Sequence, residues 1–107
     1  MKEVTNMAGK RVHPPMTPGR FLQIEFLQPL EMTPYALAKA IGVDPQRIYK
    51  IVAGEREITA DTALRLGRLF GTSARYWLNL QNRYDLEKVE DDAGDQIERD
   101  VRPLLAG

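Results

Sequence analysis

Thr33-Pro34-Tyr35-Ala36-Leu37-Ala38-Lys39-Ala40-Ile41-Gly42-Val43-Asp44-Pro45-Gln46-Arg47-Ile48-Tyr49-Lys50-Ile51-Val52-Ala53-Gly54 is the stretch that decides the fold. Thr33 and Asp44 are residue types that cap the free N–H groups of a helix start. Each precedes a proline, which suits the first helical position because no N–H is needed there. Two starts eleven residues apart leave room for one short helix and a tight turn. Gly42 supplies the left-handed or close-packed backbone that ends the first helix, and Val43 packs the turn inward. Projected at about 100° per residue, the second helix gathers Ile48, Ile51 and Val52 on one side. Gln46, Lys50 and Ala53 fall opposite, with Arg47 and Tyr49 flanking that strip, and Gly54 stops the helix.

An amphipathic helix by itself usually marks only a core face. Here the succession of cap, small-residue helix, glycine turn and second cap matches the crossing by which a helix-turn-helix sets its second helix into a DNA major groove. In that geometry Gln46, Arg47, Tyr49 and Lys50 lie nearest the bases. Gln46 suits an adenine edge and Arg47 a guanine edge. Thr33 with the amides of its helix, Lys39 and Arg56 are suited to phosphates, which fix orientation without reading sequence.

The chain has 107 residues, enough for one domain with a modest core of about five short helices. Six of its seven prolines lie at 14, 15, 18, 29, 34 and 45, and the seventh at 103, leaving 46–102 open to helices. Strand-like alternation is nearly absent, so the expected fold is all-α. The division is a tail or linker over 1–17, a helix-turn-helix domain over 18–90, and an acidic extension over 91–107, either a short helix or mobile. The lack of cysteine excludes a disulfide framework, a thiolate zinc site and a cysteine nucleophile. No apolar run approaches a membrane span, and residues 1–11 lack the apolar core of a signal peptide, which predicts a cytoplasmic protein with no membrane partner.

Net charge is zero, whereas DNA-binding domains are often basic. Its distribution is uneven: residues 1–56 carry eight Lys/Arg against five Asp/Glu, and residues 57–107 carry seven against ten. The acid gathers at Asp85, Glu87, Glu90, Asp91, Asp92, Asp95, Glu98 and Asp100. This run suits either a solvated helix or a surface for a basic partner.

Elsewhere, Pro18-Gly19 opens a first helix with Phe21, Ile24 and Leu27 inward, and Pro29 ends it. Thr59 or Asp61 starts a fourth, where Ala60, Ala63, Leu64, Gly67 and Phe70 recur at helical steps before Gly71 breaks it. Thr72 or Ser73 caps a fifth helix from 74 to about 90. Its Trp77, Leu80 and Tyr84 repeat at helical spacing, while Tyr76, Leu78 and Leu86 widen the apolar surface. Trp77, Leu80 and Tyr84 are therefore candidates for a homodimer interface, since aromatic residues are enriched there; core packing is the alternative for Trp77. Ile97, Val101, Leu104 and Leu105 continue at roughly helical steps, interrupted by Pro103.

No enzyme is expected. His13 is the single histidine, beside Pro14-Pro15 in a linker-like composition, and Asp91-Asp92 sits in a charged, wet segment where no fixed metal geometry is expected. No phosphate-binding glycine loop or serine nucleophile motif occurs. No cofactor or metal is called for.

Taken together, these residues resemble the Xre/Cro (lambda repressor-like) helix-turn-helix superfamily, and within it the HigA/VapI-type antitoxins. The stretch Ala36-Leu37-Ala38-Lys39-Ala40-Ile41-Gly42-Val43 through Gly54 is shared by the superfamily. The more specific likeness lies in Ile58-Thr59-Ala60-Asp61-Thr62-Ala63-Leu64-Arg65-Leu66, Phe70-Gly71-Thr72-Ser73-Ala74, Trp77-Leu78-Asn79-Leu80-Gln81 and Tyr84-Asp85-Leu86. Pro18-Gly19 is similar too, although Arg20 replaces the acidic residue common after that glycine. The likeness covers roughly 14–90. It implies a compact five-helix domain, a homodimer on double-stranded operator DNA, autorepression, and neutralisation of a cognate small basic toxin, a RelE-like ribonuclease. A plain Xre-type regulator without a toxin, and an interaction module that has lost DNA binding, are the alternatives.

Overall fold

The computed structural model describes residues 15–105, and every regular element there is helical. His13 and residues 1–14 of the expected tail lie outside the described residues, as do 106 and 107. The elements are α1 (Pro18–Leu22), continued by a π-helical turn (Gln23–Leu27), then α2 (Pro34–Ile41), α3 (Pro45–Val52), α4 (Ala60–Phe70) and α5 (Ala74–Asp100). Met16–Tyr84 forms one compact unit, and the chain from Asp85 onward belongs to another. Among the described residues, no helix is long and apolar enough to cross a membrane.

The caps fall where side-chain chemistry places them. Thr17, Thr33 and Asp44 each precede a proline, and their side-chain oxygens accept from the amides of Arg20 (3.1 Å), Ala36 (3.0 Å) and Gln46 (2.7 Å). Gly42 closes α2 in the left-handed region at φ 72°, where a Cβ would carry a steric penalty. Ser73 accepts from the amide of Tyr76 at 3.0 Å and starts α5.

The first helix differs from the predicted stripe. The backbone widens after Leu22, with the Gln28 amide bonded to the Gln23 carbonyl five residues back at 2.8 Å. A π turn shifts which residues share a face. Leu22 and Leu27 therefore both enter the core, while Phe21 and Ile24 are half-buried. In α4 the inward side is Thr62, Ala63, Leu66 and Gly67. Leu64, expected inside, is 65% exposed.

Leu22, Leu27, Leu37, Ile48, Ile51, Ile58, Leu66 and Trp77 make the centre of the Met16–Tyr84 unit. Trp77 is fully buried. Its ring lies 4.9 Å from that of Phe26 and 6.1 Å from that of Phe70, centroid to centroid. Its indole N–H donates to Thr72 Oγ1 at 2.8 Å, which meets the polar requirement of a buried tryptophan. Trp77 is thus a core residue, and its proposed place in a dimer interface is corrected: a side chain enclosed by its own domain has no surface to offer a second copy. Leu80 and Tyr84 are half-buried.

Gln81 is buried as well, and its Oε1 accepts from the Ile58 amide at 2.8 Å. This bond ties the segment before α4 to α5 and gives the Asn79-Leu80-Gln81 stretch a structural task. Beyond Tyr84, α5 continues to Asp100 instead of ending near Glu90. Polar pairs one turn apart line that part, Lys88 with Asp92 at 3.3 Å and Gln96 with Asp100 at 2.8 Å. Pro103 follows the helix end.

Candidate nucleic-acid interface

The seat of α3 is built from both ends. Asp44 and Pro45 fix its start, and Ile48 and Ile51 bury its inner side. Near its far end Gly19 comes so close that a Cβ there would stand 1.6 Å from the Ile51 carbonyl oxygen. Only glycine fits this approach between α1 and α3.

With its inner side so fixed, α3 presents Gln46, Tyr49 and Lys50 to solvent, Tyr49 at 43% exposure. The exposed face carries an amide, a phenol and an ammonium group, while Ala53 beside them is small and exposed. Such a face can meet base edges with donors and acceptors without obstructing close approach. The Gln46 amide nitrogen of the backbone is occupied by the Asp44 cap, which leaves the side-chain amide for recognition.

Thr33, Lys39 and Arg56 are all exposed. The Thr33 oxygen accepts from Ala36, so its hydroxyl proton remains to be donated to an anion. Lys39 Nζ lies 5.8 Å from the centroid of the Tyr35 ring, a cation–π distance that holds the ammonium beside α2.

Arg47 has a different setting from its neighbours. Its Nη1 lies 2.6 Å from Asp61 Oδ2 and 3.4 Å from Thr62 Oγ1. The same Asp61 oxygen accepts from Arg65 Nε at 2.9 Å. Arg65 Nη1 in turn donates to the carbonyls of Ile41 (2.8 Å) and Gly42 (3.3 Å) at the end of α2. The hydrogen bond from Arg47, and then that from Arg65, hold the Asp61 carboxyl below the usual aspartate range. One carboxylate thus connects α3, α4 and, through Arg65, the turn of the motif. Sequence reading named Asp61 only as a possible helix start and gave neither Asp61 nor Arg65 a place in the interface. Their spacing of four on one helix was a visible signal for an ion pair, but nothing local announced Arg47 as the third member, fourteen positions away.

Among the described residues, no group of three or more His, Cys, Asp or Glu side chains is arranged to hold a metal ion.

Residues 24–77 match the family model described as helix-turn-helix. Virulence-associated protein I of Dichelobacter nodosus is 52% identical over 85 residues, 79% of each chain. Antitoxin HigA-1 of Vibrio cholerae is 36% identical over 72 residues, 67% of this chain and 68% of that protein. A solved structure of the Pseudomonas aeruginosa antitoxin HigA with the higBA promoter is 45% identical and covers 85% of this chain and 99% of its own, with a TM-score of 0.82. The chain belongs to the HigA family of helix-turn-helix proteins. The family match takes in the whole of α2, α3 and α4 and ends at Trp77. Every proposed base-reading and phosphate-contacting residue of this HigA-family chain lies inside it, as do Asp61 and Arg65.

Proposed function

We propose that the chain is an antitoxin that neutralises a RelE-like ribonuclease toxin and represses its own operon. The observation that carries this reading is the likeness, at 45% identity, to a HigA solved with its promoter. The exposed polar face of α3 supports it independently.

In this reading α3 lies in the major groove. Gln46, Tyr49 and Lys50 meet base edges, and Arg47 joins them by exchanging Asp61 for guanine. A good bidentate pair contributes about 1–3 kcal/mol of discrimination. Thr33, Lys39 and Arg56 hold phosphates. Leu80 and Tyr84, half-buried within one chain, contribute to the contact between two copies in the cytoplasm. A two-fold dimer calls for a palindromic operator with half-sites about 10 bp apart, or a multiple of that. With roughly three phosphates neutralised per subunit, log affinity falls with log salt at a slope near −5 for the dimer.

Co-expression with the protein of the adjacent reading frame tests the antitoxin half: relief of growth arrest with a stable complex is expected. Failure of that relief, with promoter binding intact, would leave a plain regulator. Gel shifts test the DNA half. Lys39→Ala is expected to weaken binding to promoter and scrambled duplexes alike, and a loss confined to the promoter duplex would contradict its phosphate role.

A further inference from the structure

We propose that Asp61 is a specificity-determining residue of the DNA-reading surface: its carboxylate holds the Arg47 guanidinium in the free protein, withholds that charge from unspecific phosphate contact, and yields it to a base edge in register. This rests on the DNA-reading function proposed above.

Three features of the cluster carry the inference. The first is accessibility, for the Arg47 and Asp61 side chains are 26% and 56% exposed. The pair can open into solvent without disturbing Ile48 or Ile51, which lie on the buried side of α3.

The second is the asymmetry of the two arginines. Arg65 is anchored to the Ile41 and Gly42 carbonyls as well as to Asp61, so it is tied to the fold at both ends. Among the described residues, the Arg47 side chain makes its 2.6 Å bond to Asp61 and otherwise only a 3.4 Å contact to Thr62. When Arg47 leaves, Asp61 keeps the Arg65 bond and no carboxylate is stranded. The cluster therefore has one fixed cation and one exchangeable cation.

The third is position. Arg47 is the third residue of α3, in the first turn that a recognition helix points at base edges. A phosphate offers Arg47 an anion in exchange for the anion it already has, and it must approach the negative charge of Asp61 to do so. A correctly placed guanine offers two aligned acceptors, O6 and N7, with no added charge. Asp61 thus weakens unspecific binding more than specific binding, which raises the ratio between them.

The test compares the full chain with Asp61→Asn, which keeps the shape and removes the charge, on a duplex from the promoter region before its own gene and on a scrambled duplex. Asp61→Asn is expected to raise affinity for the scrambled duplex by on the order of tenfold at 0.1 M salt. Its salt slope should steepen by about 0.9 per subunit, the value of one further neutralised phosphate. Promoter affinity should change less, so the specificity ratio falls. In an Arg47→Ala background the same substitution should have no such effect. Asp61→Ala, run alongside, should reproduce the result.

An equal gain with and without Arg47 would overturn the proposal, because a general charge effect would then suffice. Equal weakening on both duplexes, accompanied by a lower thermal midpoint, would overturn it in favour of a purely structural role. If the unaltered chain shows no salt-dependent DNA affinity, the DNA-reading function itself fails, and this inference with it.

Discussion

The approach to α4 and its first turn are tied to the rest of the domain in two ways, one dry and one wet. On the inside, Gln81 accepts the Ile58 amide at 2.8 Å, close to the aromatic cluster around Trp77. On the outside, Asp61 joins Arg47 and Arg65 in view of solvent. The two ties use bonds of similar length, yet burial assigns them different consequences. A buried group that loses its partner has no water to turn to, whereas an exposed ion pair is screened and replaceable. The dry tie belongs to folding, and the wet one is free to take part in recognition.

This contrast can be broken most forcefully from the inside. Trp77→Ala removes the centre of the cluster of Phe26, Phe70 and Tyr76 and should cost about 3–5 kcal/mol of stability, measured by urea unfolding. Retention of full stability would mean that the dry side does not govern folding. A smaller loss is expected from Gln81→Met, which keeps side-chain length but leaves the Ile58 amide unpaired; the penalty is about 1–3 kcal/mol. Operator binding measured well below the unfolding transition should survive that change.

The smallest effect concerns pH. Because the folded state lowers the Asp61 pKa, its ionic contribution is complete above the unfolded aspartate value, about 3.9, and is lost as pH falls through the lower folded value. The wet tie should therefore remain intact from pH 7 down to about 5 and open only in stronger acid. A carboxyl NMR titration of Asp61 should show an inflection below that of an ordinary aspartate. In Arg47→Ala that inflection should move upward, since the larger of the two lowering bonds is gone.

How much of this was legible in the sequence varied with the range of the interactions. Thr33-Pro34, Asp44-Pro45 and Gly42 act within a few residues, so the boundaries of α2 and α3 followed from local chemistry. Trp77 was harder to place. The surrounding Tyr76, Leu78 and Leu80 make that part of α5 apolar on several sides, and the rings that enclose Trp77 come from distant elements. The Leu22 and Leu27 pairing escaped because a regular helical projection has no place for the wider turn at Gln23–Leu27. The end of α5 was misjudged because the acidic run from Glu90 to Asp95 reads as a solvated extension, while pairs one turn apart carry the helix to Asp100. For the candidate interface, the outward placing of Gln46, Tyr49 and Lys50 was legible from helical projection. The partner of Arg47 was not, since pairing across two helices leaves no periodic trace.

The close approach of Gly19 to α3 also bears on how such a protein can change over generations. Its position admits no side chain, and Ile48 and Ile51 behind it are enclosed, so the mount of the reading helix resists variation. Gln46, Tyr49 and Lys50 face outward, on the exposed side of α3. Under the proposed function, lineages can therefore rewrite the DNA text that is read by altering those letters one at a time, while the holder that presents them stays the same.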